Sequence, residues 1–140
     1  MKMQTHVMIA VSAFSFAATA AAAELLCPSS KNTVEDTKCM SAEIDKADRV
    51  LRQYLEAAKE RLSRDKVKGL NLDATQAEWS RYRTMHCGDV YLYWVEGTYR
   101  YRASAQCQID LTRSRTHDIW AAYLTFVDST PALLPEPDIP

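Results

Sequence analysis

AEWSRYRTMHCGDVYLYWVEGTYRYRASAQCQIDLTRSRTHDIW, residues 77–120, is the stretch whose reading decides the fold. Its two flanks have helical spacing and carry one cysteine each, Cys87 and Cys107. On the first flank Trp79, Tyr82 and His86 recur at three- and four-residue steps; on the second, Cys107, Leu111, Ile119, Trp120, Tyr123 and Leu124 share a helical pattern. Between the flanks Val90, Leu92 and Trp94 alternate with Tyr91, Tyr93 and Val95. Such a period of two predicts one short strand or an extended loop packed on the helices, with Gly97-Thr98 as a bend. This segment holds the candidate partner-binding residues Tyr91, Tyr93, Trp94, Tyr99, Arg100, Tyr101 and Arg102. Tyr, Trp and Arg dominate binding hot spots because they join a large contact area to a polar handle.

Outward from this stretch the chain reads as helix and connection. Ser41–Arg64 has the clearest signal: Ile44, Ala47, Leu51, Tyr54, Leu55, Ala58 and Leu62 form one apolar stripe. Before it, Thr33 is placed to cap a short helix through Met40, with Glu35 and Asp36 in the first turn where the helix dipole favours anions. Asp65–Asn71 is the connection, and Asp73 with Gln76 has capping-box spacing for a helix from Ala74 to about Cys87, stopped by Gly88. A last helix is expected from Ala103 to about Val127. The tail STPALLPEPDIP carries four of the five prolines and reads as a strap or a loose end. The expected class is all-α: a small helical bundle of about four helices with a disulfide-bounded aromatic loop. The helical domain spans 24–128 and the Pro-rich tail 129–140.

The first residues read as a leader. After a short polar start with Lys2, Val7–Ala20 is apolar or small apart from Ser12 and Ser15, and Ala21-Ala22-Ala23 suits a signal peptidase. Residues 1–23 are therefore expected to be a cleaved signal peptide, leaving a soluble protein in an oxidising, periplasmic compartment. Leu26 before Cys27 lacks the small side chain that lipid attachment favours. All four cysteines, Cys27, Cys39, Cys87 and Cys107, follow the leader, and an even count in an exported domain implies two disulfides with three possible connectivities. Cys27–Cys39 and Cys87–Cys107 are favoured because each closes a local loop.

Several function classes are disfavoured. Seventeen basic and 18 acidic residues leave a net charge of −1, and no basic stripe points to nucleic acid. Oxidised Cys87 offers no thiolate to His86, so Cys–His catalysis has no nucleophile. His86 and His117 lack metal-ligand spacing, and no Gly-rich loop suggests a cofactor. Neither an enzyme nor a metal or cofactor protein is expected. Trp79 and Tyr82 read as core packing, and Arg83 and Arg115 as structural ion pairs or hydrogen bonds near the loop base.

Taken in order, Cys27, Cys39, Asp48, Tyr54, Gln76-Ala77, Trp79, Tyr82-Arg83, Cys87, Gly97-Thr98, Cys107, Leu111-Thr112 and Arg115 form a pattern. It resembles the LprI-type lysozyme inhibitor family of small exported bacterial domains with paired cysteines. The resemblance implies an inhibitor that binds lysozyme and occludes its cleft, where two carboxylates act within a sugar-binding groove. Which residues would make that contact comes from physical chemistry: the Tyr91–Arg102 set can stack as a sugar does and offer an arginine to a carboxylate. The same aromatics also fit a non-enzymatic envelope module that binds peptidoglycan, another glycan or a periplasmic protein.

Overall fold

The computed structural model describes residues 26–139; the expected leader lies outside the described residues. It contains three helices, α1 (Thr33–Arg64), α2 (Leu72–Tyr93) and α3 (Tyr99–Tyr123), and two disulfides, Cys27–Cys39 and Cys87–Cys107. The class is all-α as expected, with three helices in place of four.

The missing boundary is at Met40. The expected short helix and the long one after it are a single helix of 32 residues. No Gly or Pro interrupts residues 33–64, and Met40 is 1% exposed beside Ala105 and Ile109 of α3, so packing continues across the expected break. The cap is Asn32, one residue before the expected Thr33: its side chain accepts from the Glu35 amide at 3.0 Å. Glu35 in turn accepts from the Lys31 amide at 3.0 Å. At the other end Lys66 takes the left-handed conformation (φ 54°), and the Val67 amide returns to the Leu62 carbonyl at 3.1 Å.

α2 begins at Leu72 and is capped by Asn71, not Asp73, because Asn71 Oδ1 accepts from the Ala74 amide at 2.9 Å and the early start buries Leu72. Asp73 pairs instead with Lys59 of α1. The helix also runs through Gly88 to Tyr93, which replaces the expected strand or extended loop. A lone strand here would leave its backbone groups unpaired, whereas the helix satisfies them internally. The roughly 1 kcal/mol penalty of an interior glycine is too small to end it. α3 correspondingly starts at Tyr99, four residues before the expected Ala103.

α3 is the central element and packs on both α1 and α2. Leu51, Tyr54, Leu55 and Ala58 of α1 meet Ile119 and Leu124, with Leu72 and partly buried Trp79 closing the cluster from α2. Each large aliphatic side chain buried there contributes about 1.5–3 kcal/mol. α3 ends earlier than Val127 because the Arg61 guanidinium caps it, donating to the carbonyls of Tyr123 (2.8 Å) and Thr125 (2.7 Å). The tail is a strap: Trp120 Nε1 donates to the Leu134 carbonyl at 2.9 Å and the Tyr54 hydroxyl to the Pro135 carbonyl at 2.7 Å.

Candidate functional site

The turn between α2 and α3 is built from its base upward. Cys87 is 1% exposed and its bond to Cys107 fixes the two helices side by side, while Ser104 Oγ donates to the Cys87 carbonyl at 3.0 Å. Deeper along the same interface, Arg83 of α2 forks onto the Asp48 carboxylate of α1 and donates to Thr112 Oγ1 of α3 at 2.7 Å. Its guanidinium lies 5.1 Å from the Trp79 ring. One side chain therefore ties all three helices, and α2 approaches the turn from a fixed direction. Arg115 reaches from α3 to Gln76 Oε1 on α2 at 3.2 Å. Tyr82 does not enter the core: it is about half exposed and stacks on His86 with ring centroids 5.5 Å apart.

Above the disulfide the chain turns within a few residues, through Trp94–Thr98. Every residue from Leu92 to Tyr99 is exposed. Tyr93 is 81% exposed and meets Trp94 edge-on at 5.3 Å; Trp94 meets Tyr99 edge-on at 5.1 Å. These three rings form an interlocked ridge. Edge-to-face pairs at such separations are favourable and hold the rings in place without hiding their outer faces.

Arg100 stands behind the ridge and closes the turn. It donates to the Val95 carbonyl at 2.9 Å and to the Tyr101 hydroxyl at 3.3 Å, and its guanidinium lies 5.3 Å from the Tyr91 ring and 5.0 Å from the Tyr101 ring. Tyr91 and Tyr101 pack edge-on at 5.4 Å. The Tyr91 hydroxyl first, and Arg100 after it, hold the Tyr101 phenol below its ordinary value, while Tyr101 pushes Tyr91 up. Arg102 faces elsewhere: it pairs with Asp36 of α1 and donates to the Leu26 carbonyl, anchoring the N-terminal segment beside the first disulfide.

Of the seven residues singled out in the sequence, six therefore surround the turn and Arg102 points to α1. Arg100 is engaged within the turn, so the rings form its outward surface. A groove lined by Met40, Ile44, Ala105, Tyr91 and Tyr101 runs from the turn along α1 and α3. Sequence reasoning did not find this groove, because its apolar floor comes from two helices distant in the chain. Nor did it find exposed Met85 and Leu92 on α2, although their seven-residue spacing with Tyr82 close by signals a shared helix face.

Among the described residues no helix is long and apolar enough to cross a membrane, and no cluster of His, Cys, Asp and Glu is placed to hold a metal ion. The fold and the turn define a disulfide-stapled helical domain with an exposed aromatic surface. The family model of the lysozyme inhibitor LprI matches residues 27–119, and the chain belongs to that family. The match runs from the first disulfide into α3 and covers both disulfides, the Arg83 tie and the aromatic turn. No curated protein and no solved structure matches the chain.

Proposed function

We propose that this protein is an exported, periplasmic inhibitor that inserts its α2–α3 turn into the cleft of a lysozyme and blocks access to the polymer. The observation that carries this reading is the braced ridge of Tyr93, Trp94 and Tyr99, exposed on one turn and backed by Arg100. Flat rings with polar edges can stack where sugars stack, and a surface already ordered before binding loses little entropy on complex formation. Occlusion needs no nucleophile, cofactor or turnover. Arg100 acts by holding the turn, and the rings supply the contact. The family membership supports lysozyme as the target.

The test is lysis of peptidoglycan by c-type, g-type and phage-type lysozymes with and without the oxidised protein. Stoichiometric inhibition of one class is expected. Trp94→Ala and Tyr99→Ala should each weaken it at least about tenfold, as loss of an interface anchor does. Inhibition that survives both substitutions would move the site off this turn. Retention on purified cell wall without inhibition of any class would replace this reading with a glycan-binding envelope module.

A further inference from the structure

The outer face of α2 carries three large apolar side chains, Tyr82, Met85 and Leu92, set among the charged Glu78, Arg81 and Asp89, and all of them are exposed among the described residues. Glu78, Arg81, Tyr82, Met85, Gly88, Asp89 and Leu92 lie within about 60° of their mean direction on the helix, opposite Cys87. Met85 is 64% and Leu92 63% exposed. The inner face turns Trp79 and Cys87 toward the core and α3, and Arg83 and Gln76 bond across the same side, so this outer patch takes no part in holding α2.

We propose that this face pairs with the same face of a second copy, antiparallel, with Met85 on the twofold axis. The sequence of the face is self-complementary in that register. Arg81 of each copy falls opposite Asp89 of the other, so two cation–carboxylate pairs form symmetrically. Asp89 makes no ion pair among the described residues, and Arg81 is held only loosely, 3.9 Å from Glu78 in the same helix. Tyr82 falls opposite Gly88, where a Cβ would meet nothing within 4 Å, so the ring has room to lie against bare backbone. Leu92 of each copy falls opposite the methylene stem of Glu78 of the other. A small residue near the crossing lets two helices approach closely, and a twofold interface must match its own surface in this way.

The pairing goes beyond the proposed inhibition and does not depend on it. The two aromatic turns would point away from each other at opposite ends of the helix pair, roughly 27 Å apart along its axis. Both remain open, and one dimer could engage two enzyme molecules.

Sedimentation equilibrium on the oxidised protein over a dilution series reads the pairing directly. The expected species at the concentrated end has twice the monomer mass. Met85→Lys places two like charges on the axis, and Asp89→Arg faces Arg81 with a second arginine. Each should raise the dissociation constant at least about tenfold. The double variant Arg81→Asp with Asp89→Arg restores the pairing of opposite charges and should recover the dimer. All three positions are exposed, so each variant should remain helical, which circular dichroism checks. A monomer throughout the series overturns the proposal, as does a dimer untouched by Met85→Lys. Failure of the double variant to recover overturns this register. A monomer that still inhibits lysozyme overturns the pairing alone, whereas a dimer without inhibition overturns only the proposed function.

Discussion

α1 and α2 are both long helices packed on α3, yet they are held by different forces. α1 presents one apolar stripe, and Met40, Leu51, Tyr54, Leu55 and Ala58 from it are buried. α2 buries only Leu72 and Cys87 among its 22 residues. Its position depends on a disulfide, the Arg83 tie and a few partly buried rings. The difference teaches that α1 and α3 form the stable frame of the domain, while α2 is a mounted arm that carries the turn. An arm held by directional bonds can leave apolar side chains on its free face, which a helix held by burial alone cannot do without losing stability.

The contrast is broken most directly by large-to-small substitutions on the two helices. Leu55→Ala should cost about 2–5 kcal/mol through lost burial and the cavity left behind. Met85→Ala, measured on dilute monomer, should stay within about 0.5 kcal/mol of the parent. Denaturant midpoints distinguish these outcomes, and similar losses at both sites would contradict the description of α2.

Replacing Cys87 and Cys107 together by Ala should cost about 3 kcal/mol. Amide exchange should then accelerate throughout α2 while Leu51–Ala58 of α1 stays protected. A uniform loss of protection would show that α2 belongs to the same cooperative unit as the frame.

Arg83→Met leaves the half-buried Asp48 carboxylate without its guanidinium, and the expected loss is about 2 kcal/mol, reduced from a fully buried value by solvent access to the pair. Removing both charges with Asp48→Asn should cost less than the two single changes combined.

Gly88→Ala acts in the opposite direction. Its Cβ meets open space in the monomer, and helix propensity alone should stabilise the dilute protein by about 0.5–1 kcal/mol.

The smallest effect concerns the strap on the frame. Burial, and then the Asp138 carboxylate, push the Tyr54 phenol above its ordinary value of 10.0. The fold therefore favours the protonated hydroxyl that donates to Pro135. This stabilisation is fully present below pH 10.0 and is lost as pH rises through the folded-state value. Trp120 fluorescence should report release of the strap on that alkaline limb, before the frame unfolds.

Much of the frame was legible in the chain. The stripe from Ile44 to Leu62 predicted α1 because solvent on one side and core on the other impose a helical period. The same reasoning failed over Asp89–Tyr93, where apolar and aromatic residues occur on all sides and a period of two competes with one of 3.6. Asp73 and Thr33 have good capping chemistry, but Asn71 and Asn32 cap instead. A cap depends on where the helix must begin to bury its first core residue. The aromatic segment was visible as a cluster of residue types. Its division into an outward ridge, a bracing Arg100 and a diverted Arg102 was not.

By itself, the sequence determined the helical class and the place of the aromatic segment between two cysteines, and it favoured, among three possible connectivities, the local pairing that the structure shows. These follow from spacing along the chain and from the short reach of a disulfide. The tertiary structure alone decided that residues 33–64 are one helix, that Arg83 joins three helices and that Arg102 turns to Asp36. It also decided which face of α2 remains free. Those outcomes depend on groups distant in sequence that become neighbours only after α3 has packed on both of the other helices.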